Sequence, residues 1–362
     1  MFLAWKEIKF SKTRFALIIG IVLLVSYLVS FLTGLAYGLS QEYRMAIDKW
    51  DADSIVLTSE SNQNLNMSMI DPSEQSNISA DETARIGVAS NIVRPEGSED
   101  SDVNIDVSLF GIDPTEFLTP NIIEGELFSA ENEVVADITL KEEEGIEIGD
   151  VLQLSGQDRT VEVSGFTDNA RFSVAPVLYA DLETYQQIRF DSDESIEDFP
   201  VNAIVVRGSQ SVESLNIDND ELEAYPINDF ISSLPGYNAQ VLTFGLMIGF
   251  LVVIAALVVG IFIYVLTLQK TSMLGVMKAQ GISTSYIAKS VLAQTFLLAV
   301  IGVMAGFGLT ILTGAFLPAA VPYQNNYLFL VATSAALIIF ALLGAIFSVR
   351  TVAKIDPLEA IE

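Results

Sequence analysis

Three stretches of this chain carry no Asp, Glu, Lys or Arg: residues 15–41, 243–269 and 290–349. The first two are 27 residues each and the third is 60. At about 1.5 Å of rise per helical residue, 27 residues reach about 40 Å, enough to cross a hydrocarbon core of about 30 Å with some tilt. The third stretch accommodates two spans. Pro318 and Pro322 break it, and Tyr323-Gln-Asn-Asn-Tyr327 turns the chain. The expectation is an α-helical membrane protein with four transmembrane helices and a large α+β extracytoplasmic domain inserted between helices 1 and 2.

Orientation follows from the bases. Lys270, Lys278 and Lys289 are the only charges between the second and third spans. Cationic segments of this kind are retained in the cytoplasm. Lys6, Lys9, Lys12 and Arg14 precede the first span, and Arg350 and Lys354 follow the last. The chain then divides into a cytoplasmic amphipathic segment (1–14), the first span (15–39) and an extracytoplasmic domain (40–237). The second span (238–269), a cytoplasmic coupling loop (270–285) and the third span (286–316) follow. An extracellular loop (317–326), the fourth span (327–349) and a cytoplasmic tail (350–362) complete it. Segment 1–14 interleaves Phe2, Leu3, Trp5, Ile8 and Phe10 with its bases. It reads equally as a helix lying in the interface or as a positive-inside flank.

Composition narrows the chemistry. Residues 40–237 hold 42 of the 46 acids and 9 of the 18 bases, a net charge of −33, while the rest of the chain is at +5. A domain of that sign disfavours nucleic acid as a partner. There is no cysteine and no histidine, which removes disulfides, thiolate nucleophiles, the commonest general base and the commonest metal ligand. No GxxxxGK[ST] pattern occurs, so the chain does not cradle a nucleotide phosphate itself. The spans also lack the mid-membrane carboxylates of ion-driven carriers, so energy is expected to enter from elsewhere. Neither a catalytic group nor a resident metal is expected. Glu142-Glu143-Glu144 reads as a solvated face, not as a hydrolytic acid pair.

Within the outer domain, alternating apolar and polar residues predict strands at 54–58, 103–112, 133–138, 151–154, 160–166 and 176–180. Residues 203–206 are expected to form the last strand. Short helices are expected over 80–86, 140–144 and 181–189, in one or two sub-lobes. Gly34 with Gly38, and Gly245 with Gly249, form small-xxx-small pairs in spans one and two. Such pairs suit close helix packing and are the candidate dimer faces, although single pairs are common in spanning helices.

Several of these features coincide with one family. The four spans, the large outer domain after the first, the basic segment and the ending Val352-Ala-Lys-Ile-Asp-Pro-Leu-Glu-Ala-Ile361 together resemble the MacB/FtsX-type permeases of ABC transporters. The family's coupling loop typically reads Glu-x-Gly-x-x-Lys-Ala-x-Gly. Gly275, Lys278, Ala279 and Gly281 fit it, and Met273 stands where the acid usually sits. Glu124-Gly-Glu-Leu-Phe128 and Gly145-Ile-Glu-Ile-Gly-Asp-Val151 are similar to the family's outer core. The resemblance implies a homodimer in the plasma membrane, in contact with lipid, with a separate ATPase subunit docking at Lys270, Gly275, Lys278, Ala279 and Gly281. ATP would act on that partner.

A narrower likeness lies in Phe31-Leu-Thr-Gly-Leu-Ala-Tyr-Gly-Leu39, Asp48-Lys-Trp50 and the run from Gln269 to Gly281. These look like the haem-exporting HrtB-like permeases of Gram-positive bacteria. The implied substrate is haem, with no tightly bound cofactor. Tyr37, Glu42, Tyr43, Arg44 and Met45 are then the candidate haem-binding residues. Tyr37, Glu42 or Met45 would face the iron, since Tyr and Met are known axial ligands, and Arg44 would face a propionate. Tyr37 and Tyr43 as interfacial belt residues and Arg44 as an interfacial anchor remain the alternative. Export of a lipid, peptide or antibiotic, or FtsX-like signalling to a cell-wall hydrolase, are the rival functions.

Overall fold

The computed structural model of the chain describes residues 12–97, 104–192, 199–208, 212, 215–269, 271–318 and 320–353. The segment up to residue 11, Lys270 and the ending from residue 354 lie outside them. The chain forms two compact units, Met1–Gly38 with Val241–Glu362, and Leu39–Gln240. Helix α1, Lys12–Asp48, begins in the first, and its last ten residues belong to the second.

The second unit is built on one 11-stranded sheet. Its strands in chain order begin with β1 (Ser54–Thr58), β2 (Ile78–Ser79), β3 (Glu82–Pro95), β4 (Ile105–Ile112) and β5 (Ile122–Gly125). Then come β6 (Glu133–Asp137), helix α2 (Thr139–Glu144), β7 (Val151–Leu154), β8 (Thr160–Thr167), β9 (Arg171–Phe172) and β10 (Ala175–Asp181). Helix α3 (Leu182–Phe190), β11 (Ala203–Arg207), β12 (Asn216–Ile217), β13 (Leu222–Pro226) and helix α4 (Ile227–Ser233) complete it. The order across the sheet is β13-β1-β11-β3-β4-β10-β6-β8-β5, with β7 bridging β3 and β8, and β9 on β10. β10 runs parallel to β4 and β6 parallel to β8, and the other pairs are antiparallel. The strands β12 and β2 pair separately.

The sheet is buried on both faces because its central strands are apolar on both sides. In β4, Phe110 and Ile112 enter a core with Trp50, Tyr179 and Phe230. Val107 and Leu109 enter the opposite core with Phe166, Tyr185 and Ile188. Tyr185 fixes α3 to the sheet. A Cβ at Gly87 or at Gly111, which are paired across β3 and β4, would stand 2.2 or 2.3 Å from its ring atoms. Asp181 starts α3 by accepting a hydrogen bond from the Thr184 amide at 2.6 Å, the usual role of an N-cap carboxylate. Asn202 is wholly buried and fully partnered. It accepts from Val88 N and the Tyr185 hydroxyl and donates to the Leu65 and Ser68 carbonyls.

Two sequence expectations differ here. Residues 80–86 were expected to be helical from their Ala, Glu and Arg content, yet they lead into β3. That strand is held from both sides by β11 and β4, and pairing outweighs local propensity. Residues 203–206 are not the last strand either, since β12 and β13 follow. β13 is an edge strand with a mixed burial pattern, so it lacks clean alternation. The domain has one continuous sheet, not two sub-lobes.

One ion cluster carries a pH prediction. Arg85 pairs with Asp113 at 2.9 Å and Glu116 at 3.1 Å. Burial alone would raise the Asp113 pKa, but hydrogen bonds from Thr115 together with Arg85 hold it below the usual carboxylate value. Because the folded value is depressed, Asp113 stabilises the fold above its unfolded pKa. That contribution is lost as pH falls through the folded value. The drop in thermal midpoint between pH 7 and pH 3 should be smaller in Asp113→Asn than in the parent. An equal drop would mean that Asp113 does not contribute to acid sensitivity.

The first unit holds the long apolar helices. After α1 come α5 (Tyr237–Leu268), the short α6 (Thr271–Ala279), α7 (Thr284–Gly314) and α8 (Tyr327–Ala353). Four helices, α1, α5, α7 and α8, are long and apolar enough to cross a membrane. Their common core includes Phe15, Val22, Val259, Val303 and Ala341. Small residues bring the backbones together. A Cβ on Gly302 would lie 2.6 Å from Val22, and one on Gly344 would lie 2.9 Å from the Gly260 Cα. Hydroxyls within the spans turn back onto their own helices, as with Thr33 to the Val29 carbonyl and Thr267 to the Ile263 carbonyl. That satisfies them without water.

Candidate functional site

Three groups of residues were expected to carry function, and each has a distinct environment. The first is the outer end of α1. Tyr37 belongs to the first unit and packs edge-on against Phe329, with ring centres 6.0 Å apart. Glu42, Tyr43, Arg44 and Met45 belong to the second. Glu42 is buried and accepts from Arg171 Nη1 at 2.9 Å, and the same guanidinium reaches Glu143 at 2.8 Å. Tyr43 meets Tyr237 edge-on and stands over Gly236. Arg44 forms a two-pronged pair with Asp48, four residues on, a favourable helical spacing. Met45 is half-buried.

What fastens this end of α1 is the segment from Thr167 to Val174. Lys49 Nζ donates to the Thr167 hydroxyl and to the Asp168 carbonyl and carboxylate. The Ser173 and Val174 amides donate to the carbonyls of Tyr43 and Glu42 at 3.2 and 3.0 Å. Ser173 and Val174 both hold left-handed backbone angles, φ 49° and 78°. That is an unfavourable state for a β-branched residue, sustained here by the bonds on both sides. Arg171 and Asp168 were missed in the sequence. Their signal was available only as rarity, since Arg171 is one of nine bases in a domain with 42 acids.

The second group is the segment expected as a coupling loop. It is a helix, α6, for most of its length. Gly281 ends the turn with φ 91°, and its amide donates to the Lys278 carbonyl while Ile282 donates to Met277. This is the glycine-terminated close of a helix. Met277 and Ile282 pack on Ile287, so the segment is anchored to α7. Ser283 caps α7 by accepting from the Tyr286 amide. Gly275 is buried, Lys278 half-buried and Ala279 exposed, while Met273 and Val276 are exposed apolar residues. Lys270 lies outside the described residues.

The third group is the glycine pairs. A Cβ at Gly34 would stand 2.3 Å from the Tyr323 ring, and one at Gly38 would stand 2.3 Å from the Pro322 carbonyl oxygen. Gln324 N also donates to the Gly34 carbonyl. The close approach at Gly34 and Gly38 is therefore to the chain's own α7–α8 connection, which occupies the face expected for a second copy. The connection had been read as a turn only. Gly245 and Gly249 have nothing within 4 Å of a built Cβ and keep an open face on α5. Among the described residues no group of three His, Cys, Asp or Glu is placed to hold a metal ion.

Comparison with known families fits both units. Residues 13–223 match the MacB-like periplasmic core domain, and residues 245–357 match the FtsX-like permease C-terminal family. The chain belongs to the MacB/FtsX family of ABC-transporter permeases. The permease is 27% identical over its full length to a Staphylococcus haemolyticus protein named "Putative hemin transport system permease protein HrtB", covering 99% of that protein. It is 28% identical to the Staphylococcus epidermidis protein of the same name, again over 100% of this chain and 99% of the relative. An uncharacterized ABC transporter permease of Mycobacterium bovis is 22% identical over 99% of this chain and 98% of its own. Among solved structures, the periplasmic region of MacB from Actinobacillus actinomycetemcomitans is similar at a TM-score of 0.36 and 11% identity. That match covers 51% of the permease and 92% of the MacB chain. A permease of this family implies an ATPase partner and is not itself an enzyme.

Proposed function

We propose that this permease exports haem from the membrane, driven by a separate ATPase subunit. One observation carries the reading: full-length similarity to two permeases whose names assign them to hemin transport. The chemistry is compatible with it. Haem is flat and apolar with two anionic propionates. A chain without histidine must hold the iron through Tyr, Met or Glu, or without any protein ligand. In this reading Tyr37, Glu42 or Met45 faces the iron, Arg44 faces a propionate, and Tyr43 lies beside them. Glu42 and Arg44 each begin in an ion pair, with Arg171 and Asp48 respectively. Their use by haem requires those pairs to open. Two copies would associate as a homodimer in the plasma membrane, with both termini in the cytoplasm and Gly245 and Gly249 of α5 in the contact. The ATPase would dock on α6 with Lys270, Gly275, Lys278, Ala279 and Gly281, and ATP binding there would move the spans.

The test is haem binding and haem-stimulated ATP turnover of the permease purified in lipid with its cognate ATPase. The expected result is a stoichiometric Soret shift and altered turnover. Both should fall at least about tenfold when Tyr37, Glu42 and Met45 are all replaced by alanine, the loss of roughly 1.4 kcal/mol of binding. Unchanged haem binding in the triple variant removes the site. No specific haem binding in the parent removes the substrate and favours export of another amphiphile or signalling to a wall enzyme.

A further inference from the structure

The cleft between α5 and α8 has dimensions of its own. It is a groove of about 410 Å³. Val253, Ala256, Gly260 and Tyr264 of α5 line it, with Phe340 and Gly344 of α8. The two glycines form its floor, since their backbones are in van der Waals contact. From Val253 to Tyr264 the groove follows eleven residues of α5, about 16 Å of helix. Half of a hydrocarbon core of about 30 Å is about 15 Å. The groove is therefore one leaflet deep, and nearly every atom lining it is carbon.

Its position selects the leaflet. α5 lies in the charge-free run 243–269, and the groove occupies the half of that run that leads to Lys270. On α8, Arg350 stands six residues beyond Gly344, about 9 Å along the axis. From Lys270 to Lys289 every charge is basic, and Arg350 and Lys354 precede the first acid of the tail, Asp356. In a membrane, an open apolar groove of this length takes a hydrocarbon chain. A basic rim adds preference for an anionic head group.

We infer that the α5–α8 groove holds one acyl chain of an anionic phospholipid from the leaflet on the basic side. The site rests on the membrane-spanning reading and does not depend on haem as substrate. A resident chain here covers the Gly260–Gly344 contact, the narrowest crossing of these two helices, and so joins lipid composition to their packing.

The full-length permease, taken with its ATPase from vesicles of equal phosphatidylglycerol and phosphatidylcholine, is analysed by native mass spectrometry. The expected result is about one retained phospholipid per permease chain. Phosphatidylglycerol should be enriched about fivefold, the effect of one basic residue near the surface. Ala256→Phe fills the groove and should remove the retained lipid. Ile254→Trp, on an exposed position outside the groove, should keep it. Where Ala256→Phe does not give a monodisperse protein, Val253→Trp, at the half-exposed rim, takes its place. Equal retention in groove-filled and parent proteins, or retention without head-group preference, would show annular lipid only and overturn the inference. Haem retained in place of lipid would overturn it as well.

Discussion

Replacing Arg171 with alanine is expected to destabilise the outer domain by about 3–5 kcal/mol, the usual cost of removing one partner from a buried ion pair. Its side chain is 13% exposed and that of Glu42 only 9%. Without Arg171, the Glu42 carboxylate keeps its burial and loses its cation, and Glu143 loses its partner too. For a domain of this size the thermal midpoint should fall by about 10 °C. Fluorescence of Trp50, buried in the core beside Phe110, gives a local readout in the detergent-purified permease. Arg171→Lys should recover only part of the loss, because one ammonium cannot present a planar fork to two carboxylates. Arg44→Ala supplies the contrast: its pair with Asp48 is more exposed and should be worth about 0.5 kcal/mol. Equal effects of Arg171→Ala and Arg44→Ala would refute a buried clamp at this end of α1.

Gly306→Leu in α7 should have a larger effect and abolish the folded membrane unit. A Cβ there would stand 2.8 Å from the Leu23 carbonyl oxygen, 2.8 Å from the Tyr27 amide nitrogen and 2.8 Å from the Ser26 Cβ. Two of these atoms are backbone of α1, so no rotamer change relieves them, and the helices must separate. Overpacking of this kind costs about 1–3 kcal/mol even where neighbours yield. Here it also breaks the hydrogen bond from Ser26 to the Val303 carbonyl. Size-exclusion chromatography of the detergent-purified variant should show aggregate in place of a monodisperse peak. Gly308, two residues along the same helix, has nothing within 4 Å, and Gly308→Leu should elute as the parent does. A monodisperse Gly306→Leu protein would show that α1 and α7 do not depend on this contact.

How far these features could be read beforehand depends on the physics of each. The four spans were legible because exclusion of charge from hydrocarbon writes itself along the chain. β1, β4, β6 and β8 were legible because alternation marks a half-buried strand. β3 was misread at its start because Asp81-Glu-Thr-Ala-Arg85 takes its conformation from neighbours remote in sequence. The same holds for α6, whose nine residues are too few for a helix without packing. Contacts between distant residues left almost no trace. Nothing around Tyr323 announces that its ring will sit on Gly34 and Gly314, and the GxxxG pattern at 34–38 spoke only of a close neighbour without saying which. Among the candidate haem residues, the side-chain types were readable. Their engagement was not, because Arg171 lies 129 residues from Glu42.

One further property follows from the outermost pairing of the sheet. β1, the first strand after α1, lies directly against β13, the last before α4, with Ser54 opposite Pro226. The polypeptide thus enters and leaves this domain at one place, through neighbouring strands. A domain with adjoining ends behaves as a cassette, since it can be lengthened, trimmed or exchanged without moving the points at which it is spliced in. In such an architecture the helices and the domain are free to diverge at different rates, and new specificities can arise by substitution of the insert while the motor-facing parts are inherited unchanged.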